Sequence, residues 1–366
     1  MSVSHYTPDA SPATSGDERD PLALAPADCG RGHSCQLCPE EDTCRLDKPK
    51  HEKHLIESRL GQVGQILLVM ANKGGVGKST VSANVAAGLA ARGYRVGVAD
   101  ADIHGPNQSR FFGFTGERIR LDKGGLSTQA FHAEGLEHPV KVGSLAFMME
   151  TDDTPIVWRD AYKHDFMHHL IGSFDWGPLD FLVVDMPPGT GNELITLADM
   201  LESHDVAALL ATTPQEVALM DSLKAVRFCQ ERSMPLLGAV ENMSGVTCPH
   251  CSGEFHLFPR EHLAEALAEH EVESLSRIPL SPALASGSDS GRPIVIDAPE
   301  GPEARAFAPV IDACVEHARA MFADAAVASL DTLEDGAGSE FNAALAELPE
   351  DQQDELRSQL ADLLRQ

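Results

Sequence analysis

"ANKGGVGKST", residues 71–80, decides the fold. It stands between an apolar run, QILLVM at 65–70, and a helix-forming stretch from Ser79 to Arg92. The apolar run reads as a buried strand, and Gly93 falls where a helix would stop. A glycine-rich turn between a strand and a helix is the setting of a P-loop. Gly74, Gly75 and Gly77 allow the backbone to curl so that N–H groups face phosphate oxygens. The helix N-terminus adds its dipole. Lys78 is placed to neutralise β- and γ-phosphates and the Ser79 hydroxyl to bind Mg2+, with Val76 and Thr80 completing the nucleotide-binding loop. The usual first glycine of G-x-x-x-x-G-K-[ST] is here Asn72, and a second lysine, Lys73, precedes the glycines.

The same alternation continues outward. RVGVAD (95–100), FLVVD (181–185), VAALLAT (206–212) and LLGAVEN (236–242) read as further strands, separated by helical stretches such as 214–232. Strands alternating with helices predict an α/β fold with a doubly wound, mainly parallel sheet. Ligands of such sheets bind at the carboxyl ends of the strands. VADADIHGPN (98–107) puts Asp100 and Asp102 there, and VVDMPPGTGN (183–192) puts Asp185 there. Asp185 is placed to hold Mg2+ through water and Asp102 to orient an attacking water. The chain divides into a Pro-, Ala-, Ser- and Asp-rich acidic tail expected to be disordered (1–27), a cysteine segment (28–60), a P-loop ATPase domain (61–325), and an acidic linker with a C-terminal helix (326–366). On that last helix Leu356, Leu360, Leu363 and Leu364 share one face.

The 366 residues include 28 Lys and Arg against 56 Asp and Glu, a formal net charge of −28, and only nine of the bases are lysines. So acidic a chain is expected to repel nucleic acid and anionic membranes, and to suit a salt-rich cytoplasm. No apolar run approaches the roughly 20 residues of a membrane span. The N-terminus is polar and lacks a signal-peptide core, so a cytoplasmic location is expected. There, clustered cysteines are metal ligands or catalytic groups sooner than disulfides. VTCPHCSGEF (246–255) carries Cys248 and Cys251, which can be half of a zinc site, half of an iron–sulfur site, or a redox pair. Cys29, Cys35, Cys38 and Cys44, spaced C-x5-C-x2-C-x5-C, can close one metal site by themselves. Cys229, in a predicted helix, and Cys314, among apolar residues, read as small buried hydrophobes. His164, His168 and His169 read as surface or core histidines.

Taken together, these motifs resemble a known family. Lys73-Gly-Gly-Val-Gly-Lys78-Ser is similar to the deviant Walker A of the MinD/ParA/NifH group of ATPases. Within that group, DADIHGPN, DMPPGTGN, GAVENMSG…CPHC and RIPLSP…GSDSGRP resemble the Mrp/ApbC ATP-binding iron–sulfur cluster carriers, over about 64–315. The resemblance implies a P-loop NTPase fold of the MinD/NifH type, ATP hydrolysis, a homodimer, and a [4Fe-4S] cluster delivered to apo iron–sulfur proteins. It implies that Lys73 reaches the partner's phosphates, that Asp102 is the switch residue, and that Asp185 is the Walker B acid. Asn242 would read the adenine edge, and Cys248 and Cys251 would hold the cluster. A two-fold dimer brings two copies of the pair together, so that one cluster bridges each dimer. The N-terminal set resembles the cluster motif of the eukaryotic cytosolic branch with a shorter first gap, and implies a second [4Fe-4S] cluster or a zinc. His104 stands where the family often has Tyr, Asn192 where it often has Asp, and WRDAYK (158–163) lacks the usual Gly after Arg. Two rivals remain. A MinD- or ParA-like spatial regulator needs a basic tail or patch, whereas this tail is acidic. A zinc-stabilised nucleotide switch would use Cys248 and Cys251, with His256 in reach.

Overall fold

Eight strands form one sheet in the structure, a computed structural model that describes residues 29–149, 160–189, 191–248, 250–251, 253–258 and 261–330, with Gln353, Leu356 and Arg357 beyond them. In chain order they are β1 (Val63–Met70), β2 (Val96–Asp100), β3 (Gln129–Phe131), β4 (Val140–Ser144), β5 (Leu179–Asp185), β6 (Val206–Thr212), β7 (Leu236–Glu241) and β8 (Ser274–Arg277). Across the sheet the order is β8-β7-β6-β1-β5-β2-β4-β3, parallel throughout except for the β3–β4 pair at one edge. The expected doubly wound sheet is therefore present. From β1 the chain builds toward β2 on one side and later adds β6, β7 and β8 on the other. The order thus reverses beside β1, which opens a crevice at its carboxyl end.

The central strands read as unbroken apolar runs because helices cover both faces. Their alternate residues feed two cores. Leu67, Val69, Val98 and Val183 join the layer under α2 (Lys78–Ala91) and the long helix Pro302–Leu330. Ile66, Leu68, Leu182 and Val184 join the layer on the opposite face. α2 is buried almost all round, which its Ala-rich sequence permits. Gly88 sits where any Cβ would collide with the Ile311 side chain, so the absent side chain lets the two helices touch.

The cysteine segment is fastened to the second layer. Its helix α1 (Lys48–Leu60) is capped by Asp47, whose side chain accepts from the Lys50 N–H, and it buries Leu55, Ile56 and Leu60. Arg59 donates to the carbonyls of Gly172, Gly32 and Gly124 and pairs with Asp175. The Ser34 N–H donates to Ser173 Oγ at 3.0 Å. The tail 1–27 and the leucine stripe of 326–366 lie outside the described residues, apart from an exposed Leu356.

Candidate functional site

The turn after β1 takes the shape its glycines permit. Gly75 and Gly77 have φ of +80° and +85°, a left-handed conformation that costs glycine little. Gly77 caps α2, and a Cβ there would collide with the Asn242 side-chain amide. Asn242 lies just past β7 and is buried; its Nδ2 donates to the Val76 carbonyl at 2.8 Å, and its own N–H donates to Thr212 O at 2.7 Å. The first intrahelical bond runs from Val81 N–H to Gly77 O, so the N–H groups ahead of it face outward as at any helix start, where they favour an anion. The departure at Asn72 has a structural use. Its Nδ2 donates to Asp221 O at 2.6 Å, and the neighbouring Lys73 Nζ donates to Gln215 Oε1 at 3.2 Å. Both residues thereby tie the loop to the helix Glu216–Glu231 and to the residue before it.

Four ionisable groups meet beneath this loop. β2 and β5 are in register with Asp100 opposite Asp185, and both side chains are fully buried. Lys78 Nζ lies 2.6 Å from Asp185 Oδ1 and 3.9 Å from Asp102 Oδ2. Ser82, one helical turn beyond Lys78, donates to the same Asp185 oxygen at 2.9 Å. Gln108 Nε2 donates to Asp185 Oδ2 at 2.8 Å and to the Ser79 carbonyl at 3.1 Å. Asp100 accepts from the Gln108 N–H and from Ser144 Oγ, each at 3.0 Å. Burial, and then the Asp185 charge, push the Asp100 carboxyl up to about 8, so it keeps its proton at neutral pH. Asp102 is also raised by burial, with Lys78 opposing and Asp185 adding to the shift. The donor set of hydroxyl and carboxylate oxygens suits Mg2+, a hard cation. Ser79 would hold it, with Asp185 behind it through water, and when bound it would neutralise developing phosphate charge.

Cys248 and Cys251 lie at the tip of a short antiparallel ribbon that pairs Val246–Thr247 with Glu254–Phe255. The Cys248 N–H donates to Gly253 O at 2.9 Å. Cys251 is exposed and Cys248 half-buried. The backbone N–H groups of His250 and Cys251, and then the Cys251 thiol, hold the Cys248 thiol below its ordinary value, which favours the thiolate that ligates metals. His256 Nδ1 lies 3.1 Å from Ser244 O. In the N-terminal set Cys35 is buried and its thiol is pushed up to about 11, by burial first and then by Glu52. Cys29 Sγ is 3.9 Å from His51 Nε2, while Cys38 and Cys44 are half-buried. Among the described residues no three His, Cys, Asp or Glu side chains stand as a ready metal-binding group. Cys229 and Cys314 are buried, and desolvation raises both thiols to about 12. The His164 and His168 rings lie tilted by 35° to each other, with centroids 4.5 Å apart. Burial lowers the His168 and His169 pKa values, the latter to about 4.

The sequence reading did not single out Gln108, Ser82, Ser144 or Gln215. Ser82 had a signal, since it follows Lys78 by one helical turn. Gln108 had none, because the helix it opens, Gln108–Phe111, is only four residues long and too short to show a periodicity.

A phosphate cradle at the switch point of a parallel sheet, with acids at the ends of β2 and β5, defines a P-loop nucleotide-binding protein. The sequence profile of the ParA group's NUBPL iron-transfer P-loop NTPases matches residues 62–315. The chain belongs to that family. It is 41% identical over 262 residues to an iron–sulfur cluster carrier protein of Pyrococcus abyssi, covering 70% of this chain and 87% of that one. It is also 41% identical over 245 residues to the carrier protein of Aquifex aeolicus, covering 67% of this chain and 65% of that protein's length. A cytosolic Fe-S cluster assembly factor, the Nubp1 homolog of Drosophila pseudoobscura pseudoobscura, is 37% identical over 277 residues, 72% of this chain and 87% of its own. A nucleotide-binding protein of Archaeoglobus fulgidus, solved in complex with ADP, superposes with a TM-score of 0.58 at 30% identity, over 70% of this chain and 96% of that one. Among the described residues no helix is long and apolar enough to cross a membrane.

Proposed function

We propose that this chain is an ATP-dependent iron–sulfur cluster carrier of the cytoplasm, which hydrolyses ATP as a homodimer and hands a [4Fe-4S] cluster to apoproteins. One observation carries the reading: only five residues separate Asn242, bonded to the P-loop carbonyl of Val76, from Cys248, whose thiol is held toward the thiolate. A change in the loop on nucleotide binding or loss would reach the ribbon through Asn242. ATP would lie along Gly74, Gly75, Val76, Gly77, Lys78, Ser79 and Thr80, with Asn242 beside the base. Lys78 would meet the phosphate charge, Lys73 would reach across the dimer, and Asp102 would orient the attacking water. Phe255 on the cysteine ribbon, Leu257 just after it and Leu280, whose N–H donates to Gly245 O, have exposed side chains that suit a surface covered by a second copy. The N-terminal cysteines Cys29, Cys35, Cys38 and Cys44 would hold a second cluster or a zinc.

The test is metal content and association measured on the same full-length sample. Four irons shared by two chains give about two irons per chain from the bridging cluster. Anaerobically reconstituted Cys248→Ala and Cys251→Ala should each bind about that much less iron than wild type, and sedimentation should show a weaker dimer. A reconstituted chain that stays monomeric, or iron content unmoved by either substitution, would overturn the proposal.

A further inference from the structure

Gln108 is fully buried and opens the four-residue helix Gln108–Phe111 that follows β2. Its three N–H bonds reach three different parts of the site. The main-chain N–H donates to Asp100 Oδ2 at 3.0 Å. The side-chain amide donates to the Ser79 carbonyl in the P-loop helix at 3.1 Å and to Asp185 Oδ2 on β5 at 2.8 Å. Asp185 is thereby held on both oxygens, since Lys78 and Ser82 occupy Oδ1.

The amide can stand only this way round. Turned over, its oxygen would oppose two acceptors, the Ser79 carbonyl and the Asp185 carboxylate. As it stands, Gln108 Oε1 is buried and has no hydrogen-bond partner. A buried amide oxygen left unmatched is unfavourable, and a leucine of similar size would avoid that cost. The residue is instead an amide, and its two donors tie the segment after β2 to the P-loop helix and to β5, which Lys78 and Ser82 already join at the other oxygen of Asp185. Both donors are used inside the site, and together they set the distance between the segment carrying Asp102 and the Ser79–Asp185 pair.

We propose that Gln108 is a positioning residue for nucleotide hydrolysis. It fixes the segment 100–111, and with it Asp102, against the P-loop helix and Asp185. The role rests on the hydrolysis reading above. It concerns the alignment of the acids and not affinity, because the amide is spent on Ser79 O and Asp185 and leaves the phosphate-facing N–H groups untouched.

Three full-length variants test it by steady-state ATP hydrolysis. Q108L keeps the volume and removes both donors. Its kcat should fall about tenfold or more, with KM for ATP moving less than about threefold. Q108N keeps both donors but is one methylene too short to reach them, so it should resemble Q108L. Q108E places a carboxyl among Lys78 on α2, Asp100 and Asp102 at the end of β2, His104 in the loop and Asp185 on β5. Protonated, it donates one hydrogen bond to Asp185; ionised, it repels it. The kcat of Q108E relative to wild type should therefore be higher at pH 6 than at pH 8, measured where both are fully folded by near-UV circular dichroism. A residue that served only folding would give no such pH ratio in folded protein. If Q108L does not fold, Q108N decides by the same split between kcat and KM. Wild-type kcat in Q108L or Q108N, or a flat Q108E ratio, would overturn the positioning role while the hydrolysis reading stands. A wild-type chain that does not hydrolyse ATP would overturn both.

Discussion

At the scale of single residues the site depends on unequal carboxylates. Asp100 and Asp185 face each other across two parallel strands, too close and too deep for both to be charged without cost. Lys78 sits on Asp185, so Asp100 is the one that holds a proton. Its carboxyl, near 4 in the unfolded chain and raised to about 8 in the folded one, binds a proton in the native state that the unfolded state has released. The stability from this group is complete below about pH 4 and is lost as pH rises to about 8. Asp100→Asn mimics the protonated acid, and its amide oxygen can still accept from the Gln108 N–H and Ser144. Thermal melts of wild type and variant should therefore diverge with pH: the variant gains on wild type from pH 5 to pH 8.5. Parallel curves would show that Asp100 is ionised in the fold.

Among the elements, α1 gives the cysteine segment its attachment. It turns Ile56 and Leu60 into the layer that holds Phe166, Leu170 and Ile171, on the face of the sheet away from α2. Leu60 is 1% exposed, so Leu60→Ala should cost about 2–5 kcal/mol in denaturant titration. ATP affinity should stay within about threefold of wild type, because the P-loop helix packs on the other core. A stability loss under about 0.5 kcal/mol, typical of surface positions, would mean that the segment rests loosely on the domain. The Arg59 contacts to Gly32, Gly124, Gly172 and Asp175 tie the same segment at its other end. The 28–60 stretch therefore shares the apolar layer of the nucleotide domain, and its removal would uncover that layer.

For the whole molecule, charge is the dominant sum. A net −28 on 366 residues repels itself, and screening at about 1 M salt shrinks the reach of that repulsion to about 3 Å. The unfolding midpoint should rise steadily between about 0.1 and 2 M KCl; a midpoint that falls would show that ion pairs such as Arg95–Asp180 outweigh the repulsion. The alternating apolar runs, the glycines of 74–77 and the acids closing two strands were legible because each is a local pattern with one physical meaning, and together they determined the parallel sheet, the phosphate loop and the place of Asp102 and Asp185. Cys229 and Cys314 were legible as buried hydrophobes for the same reason. What was not legible depends on residues far apart in sequence. Asp100 and Asp185 become a pair only through strand register, and Gln108 meets Ser79 and Asp185 only because the chain after β2 brings the short helix Gln108–Phe111 against the P-loop helix. Asn242 meets Val76 across 166 positions, and this contact links the cysteine ribbon to the nucleotide loop. The sequence by itself determined the phosphate loop and which residue types stand at the strand ends; only the tertiary structure decided which acid keeps its proton and which side chain holds the rest in place, because both depend on distances that no local pattern encodes.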